Sequence, residues 1–415
     1  MTKRPRKALI IGAGIAGPVT AIFLRKAGID AQLFEAWPYS TGTGGGLQIA
    51  PNGMHVLAEI GLTDELIRHG SVAESFDFYS QGGARLGSIN QNMQQRFGQP
   101  AVNMRRATLN EAIVNKARCA DVELTFEKRL ARIEDRDGQP VVAHFADGTS
   151  AEGDFLIGAD GVHSVARAHV IPNGPEPFDT GLIGFGGFLP RSLLENTSIG
   201  QHVETTFGQN GFFGYGFCSP DPEDGVMWWS TQPAHGIEAA TFRAMSQDTL
   251  KRHLRKFHAG WHDPIPRLLE AAENITVTAT LDVATLPTWW RKRILLIGDA
   301  AHATSPHAGQ GASLALEDAM RLGWLMRDGQ ELGVTFQTFE NERRPRAERI
   351  VAFARRNGNQ KGEFSPLGAW FRDQMLRLLI RANARGMNWM YGYDPRAEGP
   401  MPLRQMSNLH DRQAA

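Results

Sequence analysis

The chain has 415 residues, with 44 Lys and Arg against 44 Asp and Glu, and two cysteines, Cys119 and Cys218. That length suits two joined domains with ample core, and the balanced charge leaves no basic field for nucleic acid. Two distant cysteines outside any CxxC spacing exclude a disulfide framework or thiolate metal site and fit a reducing cytoplasm. No run of about 18 apolar residues is present to span a membrane, and "MTKRPRK" reads as a short basic tail rather than a signal peptide.

An apolar strand predicted from Ala8 to Ile11 runs into Gly12, Gly14 and Gly17 in G-x-G-x-x-G spacing. A helix follows with Val19, Ile22 and Phe23 on its buried face; Gly28 stops it, and a second strand from Ala31 to Phe34 ends on Glu35. In order, the glycines suit a tight turn, close approach of backbone to a pyrophosphate, and close helix–strand packing. The helix start offers free N–H groups and a positive dipole end to phosphates. Glu35 stands where it can accept hydrogen bonds from a ribose, and Pro18 is harmless in a first turn. The unit predicts a dinucleotide site without separating FAD from a nicotinamide dinucleotide.

From Gly42 to Leu62, "GTGGGLQIAPNGMHVLAEIGL" packs glycines before a strand and a helix starting at Pro51-Asn52. Backbone bare of side chains can approach a flat ring closely. "NMRRATLNEAI", Asn103 to Ile113, predicts a helix start carrying Arg105 and Arg106, and "DFLIGADGVHSVAR", Asp154 to Arg167, a strand running into Asp160-Gly161. Short aromatic-rich segments, at Phe76 to Ser80 and again between Gly181 and Gln232, predict an antiparallel sheet. Phe212, Phe213, Tyr215 and Phe217 alternate there with glycines, so their rings divide between two faces. A substrate pocket and plain sheet core both fit that pattern. A surface helix is predicted from Gln247 to Trp261.

"GDAAHATSPHAGQG", residues 298 to 311, places an Asp, a Ser and two His close together. His302 and His307 are five apart in a Pro/Gly-rich loop, not on one helical face, and no H-E-x-x-H pattern is present. A hydrolase would want a G-x-S-x-G elbow, which is absent, so neither metal ligands nor a triad are expected. Backbone chemistry fits better: Gly309 and Gly311 precede a helix predicted from Ser313 to Met326, whose unpaired N–H groups favour an anion. Asp299 ends a strand from Ile294 to Ile297, His302 reads as structural, and His307 is a candidate for the substrate side. From Gly368 to Asp394 a basic amphipathic helix is predicted, docked by its apolar face onto the rest rather than lying on a membrane.

These three ordered motifs, at Gly12, Asp160 and Asp299, resemble those of class A FAD-dependent aromatic monooxygenases. That is the p-hydroxybenzoate hydroxylase-like group, with salicylate hydroxylase-like and tetracycline-inactivating members. The resemblance runs from about residue 7 to about residue 350. It implies an α/β fold with a Rossmann-type FAD-binding domain in three pieces, 1–75, 103–178 and 278–360. An antiparallel-sheet substrate domain is inserted at 76–102 and 179–277, and a C-terminal helix and tail occupy 361–415. NADH or NADPH would reduce FAD, and O2 would then hydroxylate an aromatic or polyketide-like small molecule through a C4a-hydroperoxyflavin.

FAD contacts are implied at Gly12, Gly14, Ala16, Gly17, Glu35, Gly45, Gly46, Arg106, Asp160, Asp299, Pro306, Gly309, Gly311 and Ala312. Arg105 competes with Arg106. Substrate contacts are expected at Gln48, Phe213, Tyr215 and Pro306, and His202, Tyr215 and His307 are candidate bases for a phenolic substrate. Ala36 stands where many relatives carry a basic residue, so the nicotinamide donor stays open. Neither "MWWS" nor "TWWR" matches the G-W-x-W-x-I-P motif of halogenase-like relatives. A flavin dehydrogenase without oxygen insertion and a non-catalytic carrier are the rival functions, and either a monomer or a homodimer fits.

Overall fold

The computed structural model describes residues 7–39, 44–90, 92–195, 197, 199–359, 363–382 and 387–396. The basic start, Gly42 and the tail after Arg396 lie outside the described residues. A six-stranded sheet takes its strands in the order Trp290–Arg291, Ile294–Leu296, Phe155–Gly158, Lys7–Ile11, Asp30–Phe34 and Glu123–Thr125. All neighbours run parallel except the first pair. Parallel strands are covered on both faces and so read as unbroken apolar runs, as Ala8–Ile11 and Ile294–Leu296 do. Helices Ala16–Lys26 and Gly311–Arg327 pack so closely that a Cβ on Gly323 would stand 2.4 Å from the Cβ of Phe23. This order sets the carboxyl ends of Lys7–Ile11, Phe155–Gly158 and Ile294–Leu296 side by side, where open α/β sheets bind ligands.

The second, seven-stranded sheet runs Thr276–Val283, Pro177–Leu189, Val226–Pro233, Phe212–Phe217, His202–Phe207, Ser75–Ser80, Arg85–Asn90. Its outer strand pairs with Pro177–Leu189 as far as Val283, so this layer extends past the boundary expected at residue 277. Strand alternation gives the sheet two unlike faces. On one, Ile183, Phe185, Phe213, Tyr215, Phe217 and Trp228 form a core under the helices Ala239–Arg243, Gln247–Phe257 and Ile265–Ala271. On the other lie Gly184, Gly186, Gly214, Gly216, Phe212, Met227 and Trp229, in register across three strands. That second face looks toward the first layer. Met227 packs against Gly46, and the Arg105 guanidinium lies 4.4 Å from the Phe188 ring centroid.

Two helices at the C-terminal end join the layers. Leu332–Asn359 carries Pro345 in its interior, which hid it from a reading by periodicity. Three arginines around that proline tie the helix down: Arg343 and Arg346 pair with Glu317, and Arg344 donates to the Leu286 carbonyl while pairing within the helix with Glu340 and Glu348. Pro366–Ala382 seats Leu376 and Ile380 on Leu86, Phe207 and Phe212 of the seven-stranded sheet, while Arg346 donates to the carbonyls of Trp389 and Met390. No helix among the described residues is long and apolar enough to cross a membrane.

Candidate active site

The turn after the first strand is shaped by contacts that exclude side chains. Gly12 has φ +104°, and a Cβ there would stand 2.4 Å from the carbonyl oxygen of Ala159; one on Gly17 would stand 1.9 Å from that of Gly12. Gly14 differs, because a Cβ there would have no protein atom within 4 Å. Its side of the turn is therefore open to a ligand. Glu35 reaches back from the second strand and accepts from the Ala13 N–H at 2.7 Å and the Trp37 N–H at 3.0 Å. Asn110 clasps the same turn, donating to the carbonyls of Ala13 and Gly14, each at 2.8 Å. Sequence reasoning missed Asn110, although it lies one helical turn beyond Arg106 and so shares its face.

Arg105 and Arg106 part company in the structure. Arg105 is tied to Asp224 at 2.8 Å, whereas Arg106 is exposed and lies along Gly44 while its backbone N–H holds the Gly45 carbonyl. Gly46 is pressed against Met227, and Gln48, half-buried, donates to Asn103 at 2.9 Å. Asp160 is turned inward: its carboxylate accepts from Ser164 and from the N–H groups of Val165 and Ala166, capping the helix Val165–Val170. Burial pushes its carboxyl above the usual range, against the pull of those hydrogen bonds. Two longer helices lack such caps. Neither Ala16–Lys26 nor Gly311–Arg327 has a capping side chain or an acid in its first turn, so their N-terminal N–H groups are left for an anion.

The stretch from Gly298 to Gly311 completes the cluster. A Cβ on Gly298 would meet that of Ala16 at 3.4 Å, which joins this loop to the first turn. Asp299 is exposed, with an oxygen 3.9 Å from where a Cβ on Gly311 would stand. Pro306 and Gly309 are also exposed, while Gly311 and Ala312 start their helix half-buried. Beneath them lies a buried ionic network. Asp318 accepts from His302 at 2.6 Å, the Gly298 N–H at 3.0 Å and Arg343 at 2.8 Å. Glu317 binds Asn52, Arg343 and Arg346. Burial alone would raise the Asp318 carboxyl, yet His302 and Arg343 hold it down at about 2. His302 is thus a structural residue. Among the described residues no group of three His, Cys, Asp or Glu is placed to hold a metal ion.

Three buried polar atoms beside this network, Asn52 Oδ1, Ser305 Oγ and Gln310 Nε2, find no partner within the protein. Buried groups are rarely left so. With the open side of Gly14, the exposed Asp299 and the two uncapped helix starts, they fit a phosphate-bearing cofactor with hydrogen-bonding edges: FAD.

Three expectations for the second sheet are corrected. Phe213 is fully buried and stacks on Trp228 with centroids 5.7 Å apart. Tyr215 donates to Glu204 in the same core, where burial and then the Glu204 charge push its phenol far above the usual range, so it stays protonated. His202 bonds Ser75 on that face too. All three point toward the helices, away from the first layer, so they are neither substrate contacts nor bases. His307 remains in the loop beside Pro306, with its ring against Gly358 of the long helix. The face that does look at the first layer is one that sequence reasoning left unassigned. There the Trp229 indole packs against Gly214, where a Cβ would stand 2.3 Å from a ring carbon.

Glycine turns, the exposed Asp299 carboxylate and uncapped helix starts gathered at the carboxyl ends of a parallel sheet, beside a glycine-floored antiparallel sheet, define a two-layer flavoprotein of the hydroxylase type. The chain belongs to the FAD binding domain family, whose model matches residues 6–354. It is 30% identical to the 6-hydroxynicotinate 3-monooxygenase of Bordetella bronchiseptica over 96% of this chain and 97% of that protein. It is likewise 30% identical to the 3-amino-4-hydroxybenzoate 2-monooxygenase of Streptomyces cremeus, over 94% of this chain and 96% of that one. Among solved structures, Klebsiella pneumoniae HpxO complexed with FAD and uric acid superposes with a TM-score of 0.82 at 26% identity, covering 96% and 98% of the two chains. The relatives are monooxygenases, as the motif resemblance implied.

Proposed function

We propose that this chain is an FAD-dependent monooxygenase that uses NADH or NADPH and O2 to hydroxylate a small aromatic ring already bearing a hydroxyl group. The two relatives named above act on a hydroxynicotinate and an amino-hydroxybenzoate, which supports that substrate class. The balance is ring C–H, O2, NAD(P)H and a proton giving ring C–OH, water and NAD(P)+. The observation that carries the proposal is the contrast at the first turn: Gly12 and Gly17 are closed by protein, while Gly14 alone is open.

FAD would supply the electron storage and the reaction with oxygen. The chain supplies the rest. Gly14 backbone and the start of Ala16–Lys26 hold phosphate, and Arg106 adds a cation. Glu35 and Asp299 accept from sugar and ribityl hydroxyls. Gly45, Pro306, Gly309, Gly311 and Ala312 would hold the flavin ring through backbone, and the uncapped helix start at Gly311 would favour negative charge there. Gly46 and Gln48 line the side toward Met227, and the glycine-floored face of the second sheet shuts water out. His307 is the remaining candidate to take a substrate proton. We read residues 1–75, 103–178 and 278–360 as the FAD-binding part and 76–102 with 179–277 as the substrate part, with the second boundary moved to Val283, where the outer strand of the seven-stranded sheet ends.

The test is oxidation of NADH and NADPH by the FAD-loaded chain in air, with oxygen uptake followed, over a panel of hydroxylated benzoates, nicotinates and purines. Stimulation by one compound class, with matching oxygen use, is expected. Flavin that is reduced but consumes no oxygen with any compound would point instead to a dehydrogenase.

A further inference from the structure

Asn52 sits in the first turn of the helix Pro51–Glu59, just after the strand Gly46–Ile49, and is fully buried. Its carboxamide nitrogen donates to Gln310 Oε1 at 2.9 Å and to Glu317 Oε1 at 2.6 Å, while its oxygen finds no protein partner. Gln310 stands between Gly309 and Gly311, and Glu317 lies further along the helix that follows. Beside Asn52, the Ala50 N–H donates to Ser313 Oγ at 3.3 Å, and a Cβ on Gly53 would stand 2.8 Å from that oxygen. These bonds join directly the two segments assigned to the flavin ring, Gly45–Gln48 and Pro306–Ala312.

The polarity of this joint is dictated from below. A carboxamide can present either its oxygen or its nitrogen, and only its neighbours decide which. Glu317 accepts from Arg343 at 2.7 Å and Arg346 at 2.8 Å. Burial alone would raise its carboxyl, yet Arg343 and then Arg346 hold it below the usual range, so it is ionised and can only accept. Asn52 must therefore offer its nitrogen to Glu317, and the same nitrogen turns the Gln310 oxygen toward it. We propose that Asn52 is a positioning residue for the flavin: it carries the fixed polarity of Glu317 to Gln310 and so registers the backbone of Gly309–Gly311 against Gly45–Gln48. This rests on the FAD reading given above, and Asn52 acts through Gln310 rather than by touching the cofactor. Leucine at position 52 is similar in size but leaves Gln310 Oε1 buried without a donor, the costly half of a broken pair.

Two readings test this together: titration of the apo chain with FAD, followed by flavin fluorescence, and the midpoint potential of the bound flavin. Asn52→Leu should bind FAD about tenfold more weakly. The uncapped helix start at Gly311 favours negative charge on the reduced flavin. Reduced FAD should therefore lose about a further tenfold, which lowers the two-electron potential by about 30 mV. Leu254→Ala, in the buried core under the second sheet, should lower the thermal midpoint and leave both flavin readings unchanged. The double variant Asn52→Leu with Gln310→Leu should bind FAD no more weakly than the weaker single variant, as expected when one residue acts through the other. Unchanged affinity and potential in Asn52→Leu, an equal shift in Leu254→Ala, or additive losses in the double variant overturns the proposal while the cofactor reading stands. A wild-type chain that binds no FAD overturns the cofactor reading and this proposal with it. Should Asn52→Leu fail to fold, Gln310→Leu breaks the same bond from the loop side. The same losses are then expected, and unchanged FAD affinity overturns the proposal.

Discussion

The turn at Gly12–Gly17 and the strand Phe212–Phe217 are both rich in glycine, yet they differ in what their glycines do. In the turn the glycines answer to backbone alone, Gly17 to the Gly12 carbonyl five residues back and Gly12 to the Ala159 carbonyl at the end of the neighbouring parallel strand, and Gly14 is left for the ligand. In the strand, Gly214 exists because the indole of Trp229, from a neighbouring strand, lies on it. A site made of local backbone can be recognised from spacing. One made by pairing distant strands cannot, because alternation shows two faces without saying which is covered.

The largest effect separates the glycines of the turn. Gly12→Val should abolish both folding and flavin binding, since φ +104° and the Ala159 carbonyl forbid a side chain. Gly14→Val should fold with an unchanged thermal midpoint in the absence of FAD but bind no flavin. Absorbance of the purified variants and calorimetry check both, and equal failure of folding would erase the distinction.

Next comes the ionic network beneath the loop. Arg343→Met leaves Glu317 and Asp318 short of their buried partner and should cost about 3–5 kcal/mol in denaturant unfolding. Acid reports on the same network. The Asp318 carboxyl is depressed from 3.8 to about 2 in the folded chain. Its stabilisation is therefore complete above about pH 4 and is lost as pH falls toward about 2. Asp318→Asn should flatten that limb of the stability–pH curve.

A smaller effect is expected at the rim. Asp299 is exposed and spends no hydrogen bond on the protein, so Asp299→Ala should leave the apo chain as stable as before. Losing charge-assisted hydrogen bonds of about 1.5–3 kcal/mol would weaken FAD binding roughly tenfold to hundredfold, measurable by flavin fluorescence titration. Smallest is Tyr215→Phe. It removes the hydroxyl bonded to Glu204 and should lower stability by about 1 kcal/mol, with KM for the aromatic substrate unchanged. A raised KM would return Tyr215 to the substrate side.

How much was legible follows the same division. The strand–turn–helix at the N-terminus, the strand before Asp299 and the helix after Gly309 lie where local patterns put them, within a residue or two. The antiparallel segments were visible as strands, and Phe213, Tyr215 and His202 were misplaced because only the helices at 239–271 decide which face is core. Asn110 and the partnerless Gln310 Nε2 were invisible, since their meaning depends on neighbours brought from far along the chain. The choice between Arg105 and Arg106 also waited on Asp224, which arrives from the other layer.

The most direct test of the central claim is the fate of oxygen-18 gas during turnover of the substrate that best stimulates NAD(P)H oxidation. One labelled oxygen atom in the product is predicted, with none arriving from labelled water. An unlabelled product, formed while the flavin still cycles, would contradict oxygen insertion.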